Sequence, residues 1–190
     1  AYGTAFDAHL LNVPAGRMGA FPDDIEHFHR WLVAGGHDFA AADFVPRVLF
    51  GRYLRETLEL TRASAAAGVI VRSIDDDAVD LTKTGSGIVV MLRNGTSIAA
   101  DDVVLAFGNF PPPHPNVPDL SFTDSEKYFQ DPWGRRLYDT VTTDESLFVI
   151  GTGLSMVDVA LQLNEIGHRG KIYAISTRGL LPAVHELGYS

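Results

Sequence analysis

The segment 147–175 constrains the fold of this chain more than any other part. The apolar run LFVI at 147–150 leads directly into Gly-Thr-Gly at 151–153, and an amphipathic stretch over 154–166 follows. Another apolar stretch at 171–175 completes a strand–helix–strand order, which is typical of a βαβ unit with parallel strands. We therefore predict an α/β protein, with a helix between two neighbouring strands in this segment.

A loop that binds a dinucleotide needs this order of elements. The first glycine permits a tight turn, the second lets the backbone approach a pyrophosphate, and the helix start presents N–H groups and a partial positive charge to the anion. Met156 occupies the third glycine position of G-x-G-x-x-G, so we expect looser helix–strand contact there. The candidate cofactor-binding residues of the loop are Gly151, Thr152, Gly153, Leu154 and Ser155, with the Ser155 hydroxyl as a donor to phosphate.

A strand–turn–helix that uses its glycines only for the turn is the alternative interpretation. The chain contains its own control, because Gly85-Ser86-Gly87 has the same spacing but leads into the apolar run 88–90, as a hairpin turn does. The loop at 151–153 has the flanking elements of a nucleotide site, and we therefore favour nucleotide binding there.

The residues after the second strand indicate which nucleotide binds. Sites for NAD usually carry an acidic residue about 20 positions after the glycine loop, which binds the ribose hydroxyl. Here the strand is followed by Ser176-Thr177-Arg178, without Asp or Glu. Two hydroxyls and a guanidinium suit a phosphate better than a diol. We therefore predict NADPH rather than NADH, with Ser176 and Arg178 at the 2′-phosphate; an Arg178 that is merely solvated is the alternative.

The rest of the chain mixes helical and strand patterns. A loop at 1–22 is predicted to be ordered because it is apolar, and Asp23 is predicted to cap the first helix. The predicted helices span 24–33 and 46–67, and the predicted strands span 69–73, 79–82, 87–92, 97–99 and 102–107. Asn94-Gly95 predicts a further hairpin, and the proline-rich run at 111–115 predicts the main boundary.

Composition excludes several classes of protein. The absence of Cys excludes a disulfide framework, thiolate metal sites and cysteine catalysis. A net charge of −9 argues against nonspecific binding to nucleic acid or to an anionic membrane. No apolar run approaches the ~18 residues of a membrane span. We predict a cytoplasmic protein that acts on a small-molecule substrate, and we leave its oligomeric state open.

Ionisable residues form no recognisable metal or nucleophile motif. His27 and His29 are two positions apart and diverge on a helix. The acidic run at 75–77 lacks the ligand spacing of a calcium loop. Arg47, at the start of the second predicted helix, is predicted to form a surface salt bridge rather than to bind phosphate. We assign no metal and no catalytic residue.

Short blocks spread over nearly the whole chain carry a family resemblance. They read AYGT at 1–4, HLLNVPA at 9–15, RM at 17–18, AFPDD at 20–24, FVPR at 44–47, GRYL at 51–54 and DVVLAFGN at 102–109. Together with the glycine loop, these blocks resemble the FAD/NAD(P)-binding protein family that includes a flavin-dependent urate hydroxylase. The last block resembles a strand end of flavoproteins with two dinucleotide-binding domains.

The resemblance implies a Rossmann-like, two-dinucleotide-binding (glutathione-reductase-like) flavoprotein with FAD and NADP as cofactors. Residues 1–109 would form a partial FAD-binding domain with a small antiparallel β insertion, and residues 110–190 would form the N-terminal part of an NAD(P)-binding domain. It also implies that Asn12, Arg17 and Met18 pass near the flavin and that Gly108 permits close approach of a cofactor. A plain turn at Asn12 and a strand-ending turn at Gly108 are the alternatives.

The activity that the resemblance implies is hydride transfer from NADPH to flavin, in a monooxygenase-like oxidoreductase. The glycine motif that binds FAD in this family has no counterpart in residues 1–60, and the chain begins with Ala. We therefore expect a fragment that binds FAD poorly and is inactive by itself. A non-catalytic NAD(P)-binding regulatory or scaffold module is the alternative, and a dehydrogenase with a single Rossmann domain is a weaker one.

Overall fold

The computed structural model of the protein describes residues 2–4, 6–85 and 87–183. The chain divides into two compact units, one formed by Ala1–Ala63 with Pro112–Ser190 and the other by Ser64–Pro111. In chain order, the helices and strands are α1 (His27–Ala34), α2 (Arg47–Ala63), β1 (Ala78–Thr84), β2 (Gly87–Leu92), β3 (Ser97–Ala100), α3 (Arg135–Thr140), β4 (Leu147–Ile150), α4 (Leu154–Glu165) and β5 (Ile172–Ile175). Short 3-10 helices span Ala15–Arg17 and Ser121–Asp124. The assignment of residues 1–109 and 110–190 to two cofactor domains stays a prediction.

Helices α1 and α2 are both shorter than predicted. Helix α1 begins at His27 instead of residue 24, because the preceding residues form turns in which the N–H of Asp24 donates to the carbonyl of Phe21 and the N–H of His27 donates to the carbonyl of Asp24. The residue before the helix is Glu26, which makes no side-chain cap. The predicted capping role of Asp23 is therefore wrong. Helix α2 begins at Arg47, one residue after the predicted start at 46, and ends four residues before the predicted end at 67.

A buried core rich in aromatic side chains packs the N-terminal loop against α1 and α2. Phe28, Leu32, Val45 and Tyr53 are fully buried, and the rings of Phe28 and Phe50 meet edge to face with centroids 5.0 Å apart. The Tyr53 hydroxyl accepts a hydrogen bond from the backbone N–H of Ala20 at 2.9 Å. Such contacts hold the loop in place, so the prediction that residues 1–22 are ordered is confirmed for the part that the structure describes.

The unit Ser64–Pro111 contains an antiparallel sheet in the order β1-β2-β3. Thr84 pairs with Gly87, which confirms the predicted hairpin turn at 85–87. Met91 pairs with Ser97 around Asn94-Gly95, which confirms the second hairpin. The predicted small antiparallel sheet is therefore present.

Two predicted strands in this unit, 69–73 and 102–107, are wrong. Both segments are apolar, but Ile70 is 74% exposed and Val104 is 88% exposed. A strand is stable only where a neighbour supplies backbone hydrogen bonds, and no strand of the described residues pairs with either segment. Apolar composition alone predicted strands that lack partners here.

The predicted βαβ unit is confirmed. Strands β4 and β5 pair in parallel, from Leu147 with Ile172 to Ile150 with Ile175, and α4 connects them. Leu137 of α3 packs with Val159 and Leu163 of α4 in a second core, against which Leu147 and Ile172 also pack. The chain is thus a mixed α/β protein, while the complete glutathione-reductase-like arrangement stays a prediction. No helix in the described ranges is long and apolar enough to cross a membrane.

Candidate nucleotide-binding site

The glycine loop starts where the parallel strand pair ends. The backbone N–H of Gly151 donates to the carbonyl of Ile175 at 2.7 Å, and this bond holds the loop against the end of β5. Gly151 has φ +111°, a conformation that residues with a side chain rarely adopt. The backbone conformation of the turn therefore requires the first glycine.

Gly153 has a different reason to be glycine. It precedes α4 with φ −81° and ψ −170°, which any residue adopts. A Cβ atom added there would meet no atom of the described residues within 4 Å, its two chain neighbours aside. Neither backbone conformation nor internal packing requires this glycine, and its missing side chain leaves open space in front of the helix. A dinucleotide-binding loop needs that space for the pyrophosphate.

The start of α4 presents several unpaired donors to this space. The backbone N–H groups of Thr152, Gly153, Leu154 and Ser155 have no acceptor among the described residues. The helix has twelve residues, so its aligned peptide dipoles place a partial positive charge at the same end. The Leu154 and Ser155 side chains are exposed. This arrangement fits a diphosphate group.

The side chain of Thr152 ties the glycine loop to the loop after β5. Its Oγ1 lies 2.5 Å from the carbonyl oxygen of Leu180 and 2.8 Å from Oγ of Ser176. Because a carbonyl oxygen only accepts, the Thr152 hydroxyl donates to Leu180, and the Ser176 hydroxyl is left to donate to Thr152. Ser176 Oγ also accepts from the N–H of Gly179 at 3.0 Å. The structure thus brings Thr152 and Ser176 together and engages the Ser176 hydroxyl within the protein.

Arg178 is the positively charged residue of the loop that follows β5. It is exposed, and within the described part of the chain its guanidinium makes neither a hydrogen bond nor an ion pair. It lies two residues after Ser176, which contacts the glycine loop. A phosphate bound beside the glycine loop would therefore find a guanidinium available on the neighbouring loop.

Sequence reasoning missed a buried ion pair behind the site. Arg47 Nη1 lies 2.6 Å from Asp158 Oδ2, and the two side chains are only 15% and 9% exposed. The prediction that Arg47 forms a salt bridge is confirmed, but the bridge is not on the surface. Asp158 is the only charged residue from 154 to 164 of this helix. That pattern was the available signal, since a buried carboxylate is rarely found without a partner.

The Asp158 charge also acts on a neighbouring phenol. Burial raises the pKa of the Tyr138 hydroxyl well above its usual range, and the negative charge of Asp158 adds to the effect. The Tyr138 hydroxyl donates to the carbonyl of Pro132 at 2.7 Å. Tyr138 is therefore a neutral structural donor and not an acid–base group at ordinary pH.

The residues predicted to lie near a flavin are in other parts of the chain. Asn12 and Arg17 are exposed, and Met18 packs against the N-terminal core. No contact described for these three residues reaches the glycine loop. Gly108 lies in the unit Ser64–Pro111 with φ +69°, and a Cβ there would meet nothing within 4 Å. Their roles toward FAD stay predictions.

The chain contains two G-x-G sequences, at 85–87 and at 151–153. One segment of the described residues combines a strand, a G-x-G turn and a helix, namely the segment from β4 to α4. The other G-x-G, at 85–87, closes the hairpin between β1 and β2. No group of three or more metal-ligating side chains occurs in the ranges that the structure describes.

The fold and the site together define a dinucleotide-binding α/β protein. Residues 1–110 match the model of a family described as FAD-NAD(P)-binding. Because the match covers more than half of the chain, the protein belongs to this family. Membership indicates a flavin-dependent oxidoreductase role. No curated protein matches the chain. The family match ends before β4, so the glycine loop at 151–153 is an independent observation.

Proposed function

We propose that the chain is part of an NADPH-dependent, FAD-containing oxidoreductase of monooxygenase-like type, and that NADPH binds at the glycine loop between β4 and α4. The observation that carries the proposal is the open space at Gly153, which the protein itself does not require, in front of four unpaired N–H groups. The family to which residues 1–110 belong binds dinucleotides of this kind.

Each residue of the loop has a role in this proposal. The N–H groups of Gly153, Leu154 and Ser155 donate to the pyrophosphate, and Gly151 gives the turn its shape. Thr152 and Ser176 hold the two loops together. Arg178 neutralises the 2′-phosphate, which NADH lacks, and so selects NADPH. When bound, NADPH supplies a hydride, and these residues bind and orient it without acting as acids or bases.

The flavin side of the proposal is supported by the family match. Asn12, Arg17, Met18 and Gly108 all lie within the matched residues 1–110. We propose that Asn12, Arg17 and Met18 contact the flavin, with Asn12 and Arg17 as its polar contacts. Gly108 is proposed separately to permit close approach of a cofactor to the backbone of its own unit. The likeness to a urate hydroxylase, the use of oxygen, a small-molecule substrate and a cytoplasmic location belong to the same proposal and follow from the resemblance and the composition.

A calorimetric titration of this chain with NADPH, and with NADH as the control, tests the proposal. We expect saturable binding with a preference for NADPH of about tenfold or more, since a hydrogen bond to a charged group contributes roughly 1.5–3 kcal/mol. Equal affinities would contradict the role of Arg178. Absence of binding for both nucleotides would contradict the assignment of the loop. Binding without NADPH oxidation after addition of flavin to a longer protein would favour the regulatory module.

A further inference from the structure

The geometry points to the ion pair between Arg47 and Asp158 as a positioning device for the nucleotide loop. We infer that Arg47 holds Asp158, and with it the first turn of α4, in the orientation that aims the N–H groups of 153–155 at the pyrophosphate. Arg47 and Asp158 are positioning residues and do not touch the nucleotide. The inference rests on the proposed function, because it concerns the same loop.

Asp158 is placed to control the start of its helix. It lies four residues after Leu154, so the two residues stand one turn apart on the same face of α4. The later part of the helix is held by Val159 and Leu163 in the apolar core. The residues before Met156, from 153 to 155, are exposed. Within α4 itself, the bond of Asp158 to Arg47 is thus the described side-chain polar contact nearest to the open end of the helix.

The loop is therefore held from both sides. On one side, Thr152 is bonded to Leu180 and to Ser176. On the other side, Asp158 is bonded to Arg47 at 2.6 Å. The exposed turn between these anchors carries the free donors. Loss of either anchor would let that turn move relative to a bound diphosphate, and aligned hydrogen bonds weaken steeply with misalignment.

Arg47 is itself fixed by the N-terminal segment. Its backbone N–H donates to the carbonyl of His9 at 2.8 Å, and Pro46 forms an isolated β-bridge with Leu10. His9 and Leu10 belong to the block at 9–15 that includes Asn12. The ion pair thus connects the segment proposed to line the flavin with the helix proposed to bind NADPH, although Arg47 and Asp158 are 111 residues apart in the chain.

Burial separates this pair from an ordinary surface salt bridge. Arg52 and Glu56 on the same helix α2 form a pair of similar length, 2.7 Å, but their side chains are 59% and 43% exposed. Water replaces a lost partner at such an exposed pair, so its removal has little effect. Removal of one member of the pair between Arg47 and Asp158 leaves a charge that is nearly buried and unpaired. Glu56→Gln is therefore the matched control for Asp158→Asn.

The experiment measures nucleotide binding and amide hydrogen exchange of wild type, Asp158→Asn, Arg47→Met and Glu56→Gln. We expect Asp158→Asn and Arg47→Met each to lower the affinities for NADPH and NADH by about the same factor, roughly tenfold, because the pyrophosphate is common to both. The preference for NADPH stays unchanged. Amides 157–160 exchange faster, while amides 163–165 change less. Glu56→Gln changes none of these values.

Conservative and charge-reversed variants keep the test decisive if a single variant fails to fold. Arg47→Lys and Asp158→Glu retain the charges and should bind nucleotide more tightly than Arg47→Met and Asp158→Asn. The double variant Arg47→Asp with Asp158→Arg should recover part of the affinity that each single reversal loses. Equal nucleotide affinity and equal exchange at 157–160 in wild type, Asp158→Asn and Arg47→Met would overturn the inference.

The two proposals can fail separately. A wild-type chain that binds neither nucleotide would overturn the proposed function, and the exchange rates at 157–160 would still decide whether the ion pair holds the start of α4. A wild-type chain that binds NADPH, together with variants that bind it equally well, would overturn only the positioning role.

Discussion

The two G-x-G turns of this chain have the same spacing, and their second glycines have opposite surroundings. At the hairpin turn, Gly87 has φ +148°, and a Cβ there would lie 2.7 Å from the carbonyl oxygen of Ala100 on the neighbouring strand. At the loop before α4, Gly153 has an ordinary φ and, its two chain neighbours aside, no atom of the described residues within 4 Å of such a Cβ. The sheet itself requires Gly87, whereas neither the backbone conformation nor a neighbouring atom of the described residues requires Gly153.

Two criteria other than glycine spacing separate a nucleotide-binding turn from a structural one. The spacing of the glycines is equal in both turns and therefore contains no information about function. The flanking elements separate the two turns, because one leads into a strand and the other into a helix of twelve residues. The room around the glycine adds a second, independent criterion, since a binding glycine leaves space that internal packing does not fill.

The largest effect is expected from Gly153→Ala. A methyl group at this position would stand between the N–H groups at the helix start and the pyrophosphate. Loss of two hydrogen bonds to a charged group would lower the affinities for both nucleotides by roughly 1,000-fold. The free energy of unfolding should fall by no more than about 1 kcal/mol, which is the usual difference between Gly and Ala at the N-cap of a helix. Calorimetry measures the nucleotide affinities, and thermal unfolding measures the stability. If Gly153→Ala kept its affinity for both nucleotides, Gly153 would not be a nucleotide-binding glycine.

Gly87→Ala should show the reverse pattern. The new Cβ would adopt a strained φ and would clash with the Ala100 carbonyl, so we expect a loss of about 3 kcal/mol in the free energy of unfolding of the antiparallel sheet. Denaturant unfolding followed by hydrogen exchange in 78–100 measures this loss. Binding of NADPH by the βαβ segment should persist while the protein is folded. An unchanged stability would show that the hairpin does not need its glycine.

The confirmed elements are those that local sequence determines. The period of apolar residues and the adjacent glycines predicted β4, α4, β5 and both hairpins, because each depends on neighbouring residues. The wrong elements depend on partners. The strands at 69–73 and 102–107 have strand composition but no neighbour among the described residues.

The candidate site shows the same division. Gly151, Gly153 and Ser155 follow from a contiguous motif, and the open space at Gly153 is consistent with that prediction. The bond of Thr152 to Ser176 spans 24 residues, and the ion pair between Arg47 and Asp158 spans 111. A single sequence contains no signal for which residues meet across such distances. It showed Asp158 as the only charged residue from 154 to 164 but not the partner of that carboxylate.

Arg178→Ala tests whether this side chain gives the glycine loop its preference for NADPH over NADH. The change should lower the affinity for NADPH by about 10- to 100-fold, as expected for a hydrogen bond between charged groups, and leave the affinity for NADH nearly unchanged. Arg169→Ala is the matched control, because Arg169 is also an exposed arginine near β5. Equal losses for both nucleotides would place Arg178 outside the 2′-phosphate site.

Gly85→Ala is expected to have the smallest effect. It tests whether an open glycine matters for binding when no helix start follows it. Gly85 resembles Gly153 in its surroundings, since an added Cβ would meet no atom within 4 Å. It differs from Gly153 in that no helix start follows it, so no row of free donors lies behind the open space. The substitution should change the free energy of unfolding by less than about 0.5 kcal/mol and leave calorimetric binding of NADPH unchanged. If Gly85→Ala weakened binding as Gly153→Ala does, the effect of Gly153→Ala could not be assigned to the N–H groups at the start of α4.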